Sequence, residues 1–144
     1  MTIFAVLRDK GNNVVSVRPK TTVEEIASII SSRRIGAVVV LDDDGELCGI
    51  VSERDVVKAL ANAGVGVHEM IADEIMTRAV TTATPKTTIE EAMEIMDHGY
   101  FRHLPVVDGG KLVGIISIRD VVKARIKLHE HETDNLRSYI HGRL

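Results

Sequence analysis

GIVSERDVVKA at residues 49–59 returns 65 positions later as GIISIRDVVKA at residues 114–124. Nine of the eleven positions are identical, and each copy places a Ser three residues before an Asp. Each copy has the pattern of an apolar strand that turns directly into a helix, because Ser favours the N-cap and Asp favours the first helical turn. The duplicated strand-to-helix corner predicts two copies of one structural unit.

A second motif recurs upstream of each corner. PKTTVEE at residues 19–25 returns as PKTTIEE at residues 85–91, an offset of 66. In each copy one of the two Thr residues can cap a helix, and a Glu three residues later can complete the capping box. In the second copy we expect Gly99 to follow this helix directly, because Gly is common just past helix C-termini.

Each repeat combines the same five predicted elements. An extended segment is followed by a helix, two apolar strands and a second helix. The extended segments are expected at residues 14–17 and 80–82, and the strand pairs at 37–41 with 47–51 and at 104–107 with 112–116. The strands are apolar at nearly every residue, which predicts that both sheet faces are covered. The fold class is therefore α+β, with two β-α-β-β-α repeats that must pack together.

The repeats divide the chain into three predicted parts. We expect the first repeat with an N-terminal segment at residues 1–66, the second repeat at 67–126 and a tail helix at 127–144. Residues 73–76 are expected to form a short helix that opens the second repeat. The tail is polar, and we expect it to dock on the module or on a partner through its few apolar residues, which are Leu128, Leu136, Tyr139 and Ile140.

Composition limits the function classes that remain. A chain of 144 residues suits one compact module, and its net charge of -3 with few aromatic residues and no Trp argues against a nucleic-acid binder. Cys48 is the only cysteine, so no internal disulfide forms and a reducing cytoplasm is expected. We also expect neither a signal peptide nor a membrane span, because no long apolar run is present.

The order of these motifs resembles a tandem pair of CBS (cystathionine β-synthase) domains, also called a Bateman module. The resemblance covers residues 14–126 and depends on both PKTT-hydrophobic-EE motifs, both Gly-to-Asp corners, the strand at 104–108 and the opening at 73–77. The sequence departs from the pattern at Val39, where the second repeat has Pro. It also has Gly36-Ala37 where the second repeat has Arg102-His103.

The resemblance implies a stand-alone binding module rather than an enzyme. Members of this family pair their repeats about a pseudo-twofold axis and form two clefts that commonly bind AMP, ATP, NAD or S-adenosylmethionine. The expected ligand is thus a regulatory adenosine nucleotide, AMP or NAD(H) first, with no catalytic cofactor and with a separate, unknown regulated protein as partner. A homodimer is expected because the second helices carry exposed-looking aliphatic residues. The alternatives are an assembly module with vestigial clefts and, third, an enzyme of unknown type.

Asp55 and Asp120 are the first candidate ligand contacts. A carboxylate can accept hydrogen bonds from two adjacent ribose hydroxyls, and each Asp is expected near a helix N-terminus that favours an anionic ligand. The alternative interpretation is that Ser52 and Ser117 are N-caps and that each Asp only complements the helix dipole. Both roles can coexist.

Further candidates follow from the resemblance. Arg102 and His103 are expected to contact phosphate or, alternatively, to form a solvated loop, while Arg54 and Arg119 either reach phosphate or pair with surface carboxylates. Because Arg102 is a fixed cation where repeat one has the uncharged Gly36-Ala37, and a protonated His103 would add a second, the Asp120 side of the module is expected to bind more tightly. The remaining candidates either line the clefts and sandwich a base or belong to an edge strand and the core; they are Val14, Ser16, Val80, Thr82, Ile35, Gly36 and Phe101.

No metal site is expected. His129-Glu130-His131 places two His residues at i and i+2, which point to different sides of a helix. Cys48 is expected in the core of an apolar strand, where it would be inert.

Overall fold

The computed structural model of the protein describes residues 1–11 and 13–141, with side chains as far as residue 136. Repeat one contains β1 (Ser16–Val17), α2 (Val23–Arg33), β2 (Ala37–Leu41), β3 (Leu47–Ser52) and α3 (Glu53–Ala63), and α1 (Ile3–Lys10) precedes it. A 3-10 helix (Gly64–Glu69) and α4 (Ala72–Ile75) connect the repeats. Repeat two contains α5 (Ile89–Gly99), β4 (His103–Asp108), β5 (Lys111–Ser117) and α6 (Ile118–His141).

The two small sheets confirm the predicted α+β repeats. In repeat one, β1 runs parallel to β2, and β2 pairs antiparallel with β3. In repeat two, β4 pairs antiparallel with β5, and the extended segment predicted at residues 80–82 forms no strand. A single parallel bridge follows that segment, between Ala83 and Val106. Every residue from Ala37 to Val40 is buried, whereas β3 and β5 alternate between buried and half-buried positions. Both faces of β2 are therefore buried as expected, whereas β3 and β5 are only partly buried.

The repeated Thr-Glu motifs begin α2 and α5. Thr22 Oγ1 accepts a hydrogen bond from Glu25 N, and Thr88 Oγ1 accepts one from Glu91 N. The expected stop at Gly99 is wrong by one residue, because Gly99 is the last residue of α5 and Tyr100 takes the left-handed conformation with φ of 56°. A Cβ at position 99 would overlap the Phe101 ring, so this Gly permits close packing rather than a left-handed turn.

The two connecting helices are exchanged between the repeats. α1 precedes repeat one but packs on repeat two, where Ile3 N donates to Thr87 O at 2.8 Å and Ile3 is fully buried. α4 precedes repeat two but packs on repeat one, where Ala72 N donates to Thr21 O at 2.8 Å. These matched hydrogen bonds follow the pseudo-twofold relation between the repeats and join them into one module.

The predicted tail is helical and continues α6 without a break. Lys127 lies 3.7 Å from Asp9 of α1, and Leu128 is half-buried, so the tail contacts the module up to this point. Beyond it Leu136 is exposed. Tyr139 and Ile140 fall where side chains are not described, and residues 142–144 of the predicted tail lie outside the described residues. No helix in the described part of the chain is both long and apolar enough to cross a membrane.

Candidate binding cleft

A cleft of about 660 Å³ lies between the two repeats. It is bordered by the first residues of β2 and β4 and by the N-terminal ends of α3 and α6. Asp55 and Asp120 both line it, so the two clefts that the resemblance implies form one continuous space here. At its floor the repeats touch closely, since a Cβ placed on Gly36 would lie 2.7 Å from His103 Cε1.

Both Ser-Asp corners form reciprocal helix caps. Ser52 N donates to Asp55 Oδ2 at 2.8 Å, and Asp55 N donates to Ser52 Oγ at 3.3 Å. The equivalent distances between Ser117 and Asp120 are 2.8 and 3.1 Å. The capping interpretation is therefore correct at both corners. It also fixes each carboxylate at the cleft wall, where one oxygen of each accepts the cap hydrogen bonds.

Lys10 is a cleft residue that the sequence motifs did not indicate. Its Nζ lies 2.6 Å from Asp120 Oδ2 and also donates to Ile115 O at 2.8 Å. Lys10 ends α1, and the exchange of α1 onto repeat two brings it to a carboxylate 110 positions away. A pattern search within each repeat cannot find such a contact, because its two partners belong to different repeats in the sequence.

Thr77 occupies the corresponding place in repeat one. Its backbone exchanges two hydrogen bonds with Ile50, the counterpart of Ile115, and its Oγ1 lies 3.4 Å from Asp55 Oδ1. Among the described side chains, no Lys, Arg or His forms an ion pair with Asp55. The two carboxylates therefore share their caps and differ in their third partner, an ammonium at Asp120 and a hydroxyl at Asp55.

The ion pair determines the protonation of Asp120. Burial is the largest single influence and raises the pKa of Asp120, but the hydrogen bonds and charge of Lys10 and the hydrogen bonds of Ser117 together lower this pKa below its ordinary value. Asp120 is consequently ionised at neutral pH and holds its negative charge against Lys10.

His103 is expected to be neutral at pH 7. Burial lowers its pKa most, and the neighbouring positive charges of Arg102 and Lys10 lower the pKa further. The negative charges of Glu53 and Asp120 oppose this shift with a smaller effect. The suggestion that His103 adds a second cation is therefore not supported at this pH, and the ring instead forms the cleft floor against Gly36.

All three candidate arginines and His103 lie at the cleft. Arg102 and Arg119 are exposed on the side of repeat two, while Arg54 reaches across from repeat one and donates to Tyr100 O at 3.4 Å. Neither the phosphate contact nor the surface-pair interpretation of Arg54 describes this contact, which is to a backbone carbonyl. Among the described side chains, the guanidinium groups of Arg102 and Arg119 form no ion pair, whereas Arg54 bridges the repeats.

The extended segments line the cleft with different residues from those predicted. Val80 lines it as expected, but Val14, Ser16 and Thr82 do not. Val15 and Thr81 line it instead. Of the predicted base contacts, Ile35, Gly36 and Phe101 all border the cleft. Other lining residues that the sequence did not indicate are Asn13, Arg34, Glu53, Thr77 and Tyr100.

Neither Cys48 nor the His129-Glu130-His131 motif lines the cleft. Cys48 is half-buried at the edge of the repeat-one core, with Sγ 3.7 Å from Glu46 O. His129 and His131 are exposed on α6. Within the described residues, no group of three His, Cys, Asp or Glu side chains is placed to hold a metal ion.

Comparison with known proteins identifies the family. The sequence profile of the CBS domain matches the chain twice, at residues 8–62 and 71–127. The structure is similar to the CBS-domain-containing protein ATU1752 from Agrobacterium tumefaciens, with a TM-score of 0.85, 44% identity, and coverage of 87% of this chain and 99% of that one.

Two similar solved structures contain ligands. The CBS domain pair of protein MJ0100 is in complex with 5′-methylthioadenosine and S-adenosyl-L-methionine (TM-score 0.76, 26% identity, 86% of this chain and 94% of that one). CBSX2 is in complex with AMP (TM-score 0.70, 27% identity, 83% of this chain and 91% of that one). The repeated corners, the paired sheets and the two profile matches agree, and the chain belongs to the CBS domain family as a tandem pair of CBS domains.

Proposed function

We propose that the protein is a regulatory module that binds an adenosine nucleotide between its two CBS domains and signals to a separate partner protein. The observation that carries this proposal is the convergence of both Ser-Asp corners on one cleft of about 660 Å³. The ligands of the MJ0100 and CBSX2 structures support an adenosine compound. We expect AMP or NAD(H) as the regulatory ligand, with ATP and S-adenosylmethionine as further candidates.

Each part of a nucleotide has a suitable partner in the cleft. A carboxylate such as Asp55 or Asp120 can accept two ribose hydroxyls through charge-assisted hydrogen bonds. Arg102 and Arg119 at the rim can bind phosphate, because a guanidinium is permanently charged and its fork matches phosphate oxygens. The half-buried apolar side chains that can contact the base are Ile35, Val80 and Phe101.

We expect the nucleotide to be held rather than turned over. Among the described cleft residues, no hydrogen bond links His103 to a Ser, Thr or Cys that could act as a nucleophile. Its lowered pKa also leaves His103 without the proton that a general acid would need near neutral pH. Binding without chemistry fits a module that changes the behaviour of another protein.

We further propose that the module works as a cytoplasmic homodimer. Val57 and Leu60 of α3 are 64% and 53% exposed, and Val122 and Ile126 of α6 are also exposed. Two modules that bury these aliphatic residues around a twofold axis would form an assembly of four repeats. The competing function, assembly with unused clefts, keeps the dimer and predicts no nucleotide binding.

A thermal-shift panel with AMP, ADP, ATP, NAD(H) and S-adenosylmethionine separates these functions. A ligand at one hundred times its Kd stabilises the folded state by about 2.7 kcal/mol, which raises the Tm of a chain of this size by several degrees. GMP serves as the control for the base, and the Asp55→Asn/Asp120→Asn variant serves as the control for the site. A Tm that no adenosine compound changes would support the assembly function instead.

A further inference from the structure

The two cleft carboxylates have unequal capacity for a ligand. Asp120 Oδ2 accepts three short hydrogen bonds, from Ser117 N at 2.8 Å, Ser117 Oγ at 2.9 Å and Lys10 Nζ at 2.6 Å. Asp55 Oδ2 accepts only the two from Ser52, and its Oδ1 faces the Thr77 hydroxyl at a long 3.4 Å. In each carboxylate one oxygen carries the cap hydrogen bonds, and among the described side chains only Asp120 is also paired with a cation. Asp55 is therefore the carboxylate whose charge remains available to a ribose diol.

Displacement of Lys10 is harder than displacement of Thr77. A ribose hydroxyl and an ammonium both make charge-assisted hydrogen bonds to a carboxylate, but only the ammonium adds the attraction of a full opposite charge. Ile115 O holds the same ammonium at 2.8 Å, so Lys10 is anchored at two points. The Thr77 hydroxyl is neutral and its bond is long, and it can rotate away without breaking the backbone pairing of Thr77 with Ile50.

The charges around the cleft also differ between its two sides. Among the described lining residues, repeat one contributes two cations and two carboxylates, which are Arg34, Arg54, Glu53 and Asp55. The other side has three cations and one carboxylate, which are Lys10, Arg102, Arg119 and Asp120. The Asp120 side therefore has an excess of positive charge, and its carboxylate is already paired.

We propose that Lys10 withholds Asp120 from the ligand, so that each chain binds one nucleotide through Asp55. This inference rests on the proposed function, and it reverses the order of affinity expected from Arg102 and His103 in the sequence. Lys10 is accordingly a residue that sets the number of ligands, positioned by the exchange of α1 onto repeat two. It acts through Asp120 rather than by contact with the ribose.

Calorimetric titration with AMP tests the inference. We expect the wild-type chain to bind one AMP and Lys10→Met to bind two, because Met removes the ammonium and keeps the length of the side chain. Lys10→Met/Asp120→Asn should return to one AMP. In the wild-type background, Asp55→Asn should weaken binding about ten- to a hundredfold, and Asp120→Asn should change it by less than about threefold.

Two variants control for charge and for structure. Lys127→Met removes an equal charge from an exposed pair with Asp9, outside the cleft, and should keep one site. Lys10→Arg keeps the cation and should also keep one site. Each variant is first checked for a cooperative thermal transition, so that the stoichiometry refers to folded protein.

Several results would overturn the inference. One is a Lys10→Met chain that still binds one AMP; another is a Lys10→Met chain that loses AMP binding, which would make Lys10 a phosphate ligand. A larger loss from Asp120→Asn than from Asp55→Asn would contradict it as well. A wild-type chain that binds none of the adenosine compounds would refute the proposed function and this inference together. A wild-type chain that binds AMP, with the same stoichiometry in Lys10→Met, would refute this inference alone.

Discussion

His103 is one residue that makes the stability of the folded protein depend on pH. Its ring packs against Gly36 at the floor, and burial together with Arg102 and Lys10 lowers its pKa below the ordinary value of 6.5. A protonated imidazolium at this position would be buried and would feel the positive charges of Arg102 and Lys10, so the folded state resists protonation. The unfolded chain has no such restriction.

We predict that the folded protein loses stability as the pH falls below about 6.5, partly through His103. Because the pKa is lower in the folded state, the unfolded state takes up a proton first, and the free energy of unfolding decreases until the pH reaches the folded pKa. His103→Asn should therefore reduce the fall in Tm between pH 7.5 and 5.5, at about 2–4 °C for each kcal/mol involved. Thermal melts at both pH values measure the difference.

His68→Asn is the matched control for this prediction. His68 is exposed in the 3-10 helix between the repeats and lies outside the cleft lining. Its replacement should leave the pH dependence of the Tm unchanged. Equal slopes for the wild type and His103→Asn would show that His103 does not cause the acid destabilisation.

At the scale of single residues, the sequence predicted contacts within each repeat and did not predict contacts between the repeats. The Ser-Asp corners were found because both members of each pair stand three residues apart in one motif. Lys10 was not found, because no local pattern links it to Asp120. Val15 and Thr81 were not predicted either, because the packing of the two repeats decides which residues of these segments border the cleft.

The exchanged helices are the elements that join the two halves. Leu7 of α1 packs on β5, where a Cβ on Gly114 would lie 2.7 Å from Leu7 Cδ2. Met76 packs on β3 in the same way, with its Sδ 2.7 Å from a Cβ on Gly49. In both repeats a strand glycine makes room for a side chain from a connecting segment, so α1 belongs to the core of repeat two.

We predict that Leu7→Ala destabilises the protein by about 2–5 kcal/mol, the usual cost of a buried Leu truncation. Leu7 is 5% exposed and contributes to the repeat-two core. Phe4→Ala on the same helix is the control, since Phe4 is 59% exposed and its loss should cost no more than about 0.5 kcal/mol. Urea denaturation followed by circular dichroism measures both. A similar cost for the two variants would mean that α1 is not anchored on repeat two.

The position of α1 could not be predicted from the repeat pattern. Apart from the segment at 80–82, which forms no strand, the strands and the starts of the later helices were predicted within one or two residues. Their apolar periodicity and capping motifs are local and occur twice. α1 has eight residues, and its core role depends on Thr87 and Gly114, which are far away in the sequence. α6 continues through the predicted boundary at residue 126, so the second repeat and the tail share one helix.

The whole molecule leaves aliphatic side chains uncovered on α3 and α6. Val57 and Val122 are equivalent positions of the two repeats, and both are exposed. Leu60 and Ile126 extend the two exposed rows by about one helical turn. Since the repeats are related by a pseudo-twofold axis, the rows are also related, and a second module can cover both at once.

We predict that Val57→Asp/Val122→Asp converts a dimer of about 32 kDa into a monomer of 15.8 kDa, the mass of one chain. An Asp in the covered face would lose its hydration without gaining a partner, which should weaken dimerisation at least about tenfold. Light scattering coupled to size-exclusion chromatography, at micromolar concentrations, measures the mass. Val65→Asp is the control, because Val65 is 92% exposed in the connection between the repeats and should keep the dimer. A wild-type monomer at these concentrations, or equal dissociation by Val65→Asp, would show that α3 and α6 do not form the interface.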